Sequence, residues 1–213
     1  MSKTLRNIPA VAWPAALVVV VVLLGIAVEA GANIVAFDRA ANQTVHEHAR
    51  EPVTGWVFII SALGSTFVLI AVALLAALGL ALRGRWRSAM ALIAAYAVTD
   101  LTVAVVKLVV ERPRPEANLT DAGGFSFPSG HSAMSMAVYG CLAFALARAC
   151  RGFPRAACAI AGATLVVAIG LSRIYLGVHY PSDVLAGWTT GAAIVIAVWL
   201  AGSRLPAREP AAA

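Results

Sequence analysis

An all-α bundle of six transmembrane helices is the fold class the sequence predicts, and three observations carry that reading. Of the 213 residues, 61% are hydrophobic and only 12% charged, whereas a soluble domain carries about 25% charged residues. The apolar residues gather into six near-continuous runs, each long enough to cross about 30 Å of hydrocarbon at helical rise. The runs do not alternate apolar with polar residues, which excludes a closed β-barrel, the other structure that satisfies its backbone in lipid.

The first run, roughly 11–30, follows Lys3 and Arg6. Ala30-Gly31-Ala32 resembles a cleavage site, but the apolar stretch is longer than a secretory signal core, so a retained helix is expected. A polar stretch, Phe37 to Pro52, comes next and reads as a loop or a short interfacial helix. Its His46, Glu47 and His48 lack companion ligands and read as solvated surface. Two long runs follow at roughly 56–82 and 88–110, then three more at roughly 130–149, 155–176 and 183–201. The tail Pro210 to Ala213 is low in complexity, and all of 1–213 reads as a single transmembrane domain. Cys141, Cys150 and Cys158 have no metal-ligand spacing and read as small buried thiols. Sequons at Asn42 and Asn118 matter only in a glycosylating source.

Loop charge predicts the orientation. With the N-terminus in the cytoplasm, Lys3, Arg6, Arg83, Arg85, Arg87, Arg148, Arg151, Arg155, Arg204 and Arg208 lie inside. Arg39, Arg50, Lys107, Arg112, Arg114 and Arg173 lie outside, and four of those six belong to or touch polar clusters discussed next. Both termini are therefore expected in the cytoplasm. The net charge of +6 reads as a topology signal rather than as a nucleic-acid surface, because the basic residues sit in short loops between apolar runs.

Polar residues at the edges of these runs are costly in a bilayer and point to function. They fall in three clusters, and six alternating helices bring all three to the outer face. In Phe127-Pro128-Ser129-Gly130-His131, Ser129 suits a helix N-cap and Pro128 fixes the approach of the chain. The unpaired N–H groups of the next turn suit a phosphate, Gly130 lets the backbone come close, and His131 could hand a proton to a leaving oxygen. A plain N-cap with an interfacial His is the alternative. His179 and Asp183 are four residues apart, with Pro181 suited to a first helical turn. A carboxylate on one ring nitrogen frees the other for attack, while Arg173 offers a forked contact to phosphate oxygens. An ion pair that merely orders a loop is the alternative. Lys107 lies one turn from a helix end, where its stem could simply snorkel. Arg112 and Arg114 alternate with Pro113 and Pro115 in a stiff segment. Several cations on one phosphate would stabilise its transition state. Asp100 is the one acid well inside an apolar run. It shares a face with Lys107, and a structural partnership is expected for it.

These residues resemble the signatures of the type 2 phosphatidic acid phosphatase superfamily. Lys107, followed seven residues later by Arg114-Pro115, is similar to the first signature. Pro128-Ser129-Gly130-His131 matches the second. Ser172-Arg173, His179 and Asp183 match the third at its spacing. The resemblance implies a metal-independent, cofactor-free membrane phosphatase whose nucleophile is His179, charged and oriented by Asp183. It implies that His131 protonates the leaving oxygen. Lys107, Arg114 and Arg173 would bind phosphate, with Ser129 and Gly130 adding donors. Arg112 lies outside the strict signature and is expected as a weaker phosphate contact. Soluble relatives of this family bind vanadate as haloperoxidases, and the membrane segments argue against that branch.

The expected partners are a bilayer and a lipid phosphate, with no nucleic acid and no metal. The expected location is the cell membrane, with the site on the extracytoplasmic side. Expected substrates are a polyprenyl diphosphate such as undecaprenyl diphosphate, which the outward site favours, phosphatidylglycerol phosphate or phosphatidic acid. Transfer of the phosphoryl group to a hydroxyl acceptor, or lipid-phosphate binding and flipping without catalysis, are the rival readings.

Overall fold

A computed structural model describes residues 12–31, 33–116, 118–149 and 151–204. Lys3, Arg6, Ala32, Cys150, Arg208 and the tail Pro210 to Ala213 lie outside the described residues. The chain is all-helical, with no strand among the described residues. Its elements are α1 (Ala12–Glu29), α2 (Asn33–Glu47), α3 (Glu51–Ala62), α4 (Thr66–Leu82), α5 (Trp86–Val110), α6 (Gly130–Ser135), a π-helical turn (Met136–Gly140), α7 (Cys141–Ala149), α8 (Phe153–Tyr175) and α9 (Pro181–Arg204). Four helical stretches are long and apolar enough to cross a membrane: α5, the continuous stretch from Gly130 to Ala147, α8 and α9. The number rises to as many as six if the bent pairs α1–α2 and α3–α4 each count as one span. Exposed Leu101, Leu108 and Val109 on α5 and Ile160 and Leu171 on α8 suit hydrocarbon rather than water, so this is a multi-pass membrane protein.

Two segments need comment: one takes the helical alternative of its reading, and the other departs from it. The stretch 37–52 mostly forms α2, which turns 84° from α1. A polar outer surface and a buried Asp38 and Asn42 four residues apart explain it: one face of the helix meets the protein and the other carries exposed His46 and Glu47. The run 56–82 is two helices bent by 45°. Leu63, Gly64 and Ser65 interrupt it, as Gly/Ser pairs do in long helices. Gly64 has no room for a side chain: a Cβ there would lie 2.4 Å from Ile169 and 3.1 Å from the His131 ring.

Small residues set the remaining packing. On α9, Gly187 and Gly191 share a face four residues apart. A Cβ on Gly187 would come within 2.5 Å of the Ser129 carbonyl oxygen, and one on Gly191 within 2.4 Å of that of Ala133. This is close helix approach through small residues, as is common in membranes. It draws the start of α6 against the start of α9, where two of the three polar clusters lie. Gly170 on α8 receives the Trp188 ring in the same way. Cys141 and Cys158 are half-buried.

Candidate active site

The polar clusters converge at one end of the bundle, where three chain segments are fastened together. Helix α5 ends at Glu111 in a left-handed conformation, with its N–H on the Lys107 carbonyl 3.0 Å away. The chain then runs extended through Arg112-Pro113-Arg114-Pro115. Ser126 ties this stretch back by donating from its backbone N–H to the Arg112 carbonyl at 2.8 Å, and from its hydroxyl to the Arg112 and Pro113 carbonyls. The Ser129 N–H donates to the Asp183 carbonyl at 2.9 Å, joining the second cluster to the third.

His179 lies in the turn between α8 and α9 and is 2% exposed. Its backbone N–H reaches the Arg173 carbonyl at 3.3 Å, and its own carbonyl accepts from Asn42 Nδ2 at 3.3 Å. The ring is poised between opposite charges. Nδ1 is 3.5 Å from Asp183 Oδ2, an ion-pair distance longer than a formed hydrogen bond. Nε2 is 3.2 Å from Arg114 Nη1. A guanidinium only donates, so the contact assigns the lone pair to Nε2 and the proton to Nδ1, facing the carboxylate. Burial pushes the His179 pKa down to about 4, with Asp183 opposing and Arg114 and Lys107 adding to the fall. The ring is therefore neutral at ordinary pH, with the Nε2 lone pair directed at a cation.

Asp183 is fully buried and saturated. One oxygen accepts from the Tyr180 N–H at 2.8 Å and faces His179, while the other meets Arg112 Nη1 at 2.5 Å. Arg112 also holds Asp38 through Nη2 at 2.8 Å and Ser182 Oγ at 2.8 Å, and stacks on the Tyr180 ring. The expected phosphate contact from Arg112 is corrected here. Both its terminal nitrogens are committed to carboxylates, it is 6% exposed, and its role is to hold Asp183. The sequence reading missed Asp38. It is fully buried, accepts from the Ser182 backbone N–H at 3.0 Å and from the Ser182 hydroxyl, and pairs with Arg112. Asn42, one turn along α2, was read as a sequon, yet it is buried and supports the His179 carbonyl. The available signal was the i, i+4 pairing of Asp38 and Asn42 on one face of an otherwise hydrated helix.

Arg114 is the cation at His179 Nε2, and the charge of Lys107 also acts on that ring. Three carbonyls hold Arg114: Val178 at 2.7 Å, Gly123 at 2.9 Å and Gly124 at 3.0 Å. Lys107 Nζ donates to the Phe125 carbonyl. Arg173 donates to Ser61 Oγ at 2.5 Å, while its Nε is buried without a hydrogen-bond partner. Such an orphan donor is costly unless something accepts from it. Ser61 was also absent from the sequence reading; the α3–α4 break places it. His131, half-buried, feels the charges of Arg173, His179, Arg114 and Lys107. Ser129 departs from its expected part as an anion donor. It is fully buried, its oxygen caps α6 by accepting from the Ser132 N–H and hydroxyl, and its own N–H is taken by Asp183. Gly130 and His131 line a cavity of about 240 Å³ beside Lys107.

Neutral imidazole between a carboxylate and a guanidinium, a second imidazole and three cations suits nucleophilic attack on a phosphate. Comparison with known proteins gives the family. The model of the PAP2 superfamily matches residues 88–206, more than half of the chain, and the chain belongs to that family. It is 41% identical over 91 residues to phosphatidylglycerophosphatase B of Bacillus subtilis, covering 41% of this chain and 44% of that protein. It is 37% identical over 121 residues to the decaprenylphosphoryl-5-phosphoribose phosphatase of Mycolicibacterium smegmatis, covering 54% and 61%. The matches thus span about half the length of these curated relatives. The fold is similar to the crystal structure of a transmembrane PAP2-type phosphatidylglycerolphosphate phosphatase from Bacillus subtilis. The TM-score is 0.83 at 25% identity, over 92% of this chain and 99% of that one. Asp38 and Asn42 lie outside the residues that the family model matches.

Proposed function

We propose that this member of the PAP2 superfamily is a metal-independent lipid phosphatase that works through a phosphohistidine. The observation that carries the reading is His179: Nδ1 faces Asp183 at 3.5 Å and Nε2 lies 3.2 Å from Arg114. That arrangement frees a lone pair where a cation would draw a phosphate. Arg114, Lys107 and Arg173 bind the phosphate oxygens, and the buried Arg173 Nε gains the acceptor it lacks. His179 Nε2 attacks phosphorus, the bond to the ester oxygen breaks, and His131 gives that oxygen its proton. Water then attacks the phosphohistidine, His131 takes the water proton, and inorganic phosphate leaves with His179 restored. The relatives' names, a phosphatidylglycerophosphatase and a decaprenylphosphoryl-5-phosphoribose phosphatase among them, support a lipid phosphate as substrate.

The loop charge supports cytoplasmic termini and an extracytoplasmic site in the cell membrane. A cysteine in place of exposed Glu116 is expected to react with an impermeant thiol reagent on intact cells, and labelling only after permeabilisation would reverse the orientation. For the chemistry, the purified protein in detergent is given a 32P-labelled lipid phosphate and quenched in alkali, where phosphohistidine survives. Label on the wild type and none on His179→Ala is expected, with phosphate release falling on the order of 10⁴-fold. Release at the normal rate from His179→Ala would sink the mechanism. Transfer to a hydroxyl acceptor uses the same intermediate, and phosphate release that tracks substrate loss one for one separates hydrolysis from it.

A further inference from the structure

Asp100 is the acidic group of α5, and the mechanism leaves it unused. It sits near the middle of a membrane span, about 10 Å along the helix from Lys107. It is exposed, and it makes no hydrogen bond or ion pair among the described residues; its one relationship is an electrostatic one with Tyr96, one turn back. The expected structural partnership is therefore absent. A carboxyl group held at that depth without a protein partner is costly and points to a ligand.

The surroundings indicate which ligand. Asp100, Val103, Ala104 and Lys107 form one face of α5 and one wall of the 240 Å³ cavity. Gly64, Thr66 and Leu69 close it from the α3–α4 break and α4, and Gly130, His131 and Met134 from α6. The cavity thus runs inward from the phosphate-binding cation, past the proton donor, to the carboxyl group. A larger cavity of about 610 Å³ between α1 and α5 is lined by Val, Ile, Gly and Phe127 with Glu29, and includes none of the phosphate-site side chains. The ester oxygen that His131 protonates belongs to the leaving group, so the leaving group is the part of the substrate that enters the His131 cavity.

We propose that this cavity is the leaving-group subsite, and that Asp100 selects a lipid phosphate monoester whose leaving alcohol carries a further hydroxyl close to the ester. The inference rests on the phosphatase reading above. The hydroxyl donates to the Asp100 carboxylate, and Thr66 supplies a second polar group on the opposite wall. A diphosphate fits this subsite poorly, because its leaving group is a phosphate anion that would face a carboxylate in a medium of low dielectric. The inference therefore turns away from the polyprenyl diphosphate that the outward site favoured.

The test uses the full chain in detergent and a matched pair: a 1-acylglycerol 3-phosphate and its 2-deoxy analogue, identical but for one hydroxyl. The wild type is expected to favour the hydroxylated lipid by about 10- to 100-fold in kcat/KM, the range for a hydrogen bond to a charged group. Asp100→Ala is expected to bring that ratio close to one, and Asp100→Asn, which keeps an acceptor, to an intermediate value. Polyprenyl diphosphate is expected to gain on the hydroxylated monoester in both variants. A wild type that hydrolyses the pair equally, or variants that lose activity on both lipids in the same proportion, would overturn the hydroxyl assignment. A wild type that releases phosphate from none of the lipids would instead overturn the phosphatase reading.

Discussion

The two imidazoles of the site are held in opposite ways. His179 belongs to a saturated half, in which Asp183, Arg112, Asp38 and Ser182 share close contacts in a region almost without exposure. His131 belongs to an open half, where Lys107, Asp100 and Thr66 line a cavity and His131 itself is only half-buried. The difference suits the proposed parts of the two rings, nucleophile for His179 and proton donor for His131. A nucleophile gains from one fixed geometry before the substrate arrives, since small misplacements cost large factors in rate. A proton donor has to face whatever alcohol leaves, so its side is kept roomy.

This contrast makes the two halves break differently. The largest effect is expected at Asp38. Asp38→Ala leaves Arg112 buried with one carboxylate fewer and frees the start of α9. About 3–5 kcal/mol of stability should be lost, together with 10²-fold or more in kcat. Denaturation in detergent alongside phosphate release would measure both, and an unchanged unfolding midpoint would dissolve the saturated half as a unit. His131→Ala should leave the unfolding midpoint close to that of the wild type while lowering kcat by about 10²–10⁴-fold, most steeply for alcohols that leave poorly. Equal losses across a series of leaving groups would remove the general-acid role. Gly64→Ala should cost about 1–3 kcal/mol, because the added methyl meets Ile169 and the His131 ring. A kcat that survives this change would show that the α3–α4 break does not position His131.

The smallest effect is a pH slope. Burial holds the folded His179 pKa at about 4, below the ordinary value of about 6.5. Between those values the unfolded chain binds more protons than the folded one, so stability rises with pH. The contribution is fully present above about pH 6.5 and is lost as pH falls through about 4. Unfolding midpoints of His179→Gln should fall less over this window than those of the wild type. Parallel curves would mean that the ring is not held neutral.

Much of this was legible in the chain because local chemistry fixes it. The motif spacing brought out His131, His179, Asp183, Lys107, Arg114 and Arg173, and Ser129 was legible as a cap. Ser129 as an anion donor and Arg112 as a phosphate contact were not: both depend on which partners reach them first, and those partners are the Asp183 carbonyl for one and two carboxylates for the other. Asp38 and Asn42 escaped because a polar helix with one buried face resembles a solvated loop until something packs on that face. The break at Gly64 escaped because hydropathy alone does not register a bend.

The sequence by itself determined that the chain is helical and membrane-embedded, since unbroken apolar runs leave the backbone no other way to satisfy its hydrogen bonds in lipid. Its motifs also single out the side chains proposed here to carry the phosphate chemistry. Only the tertiary structure decided how that chemistry is supported. Gly187 and Gly191 let α9 press against α6, α2 turns back to lend Asp38 to Arg112, and Asp100 is left facing the His131 cavity. Asp38 joins Arg112, 74 positions away, and Ser182, 144 positions away. Such pairings depend on which helix faces meet, and a one-dimensional pattern does not encode that.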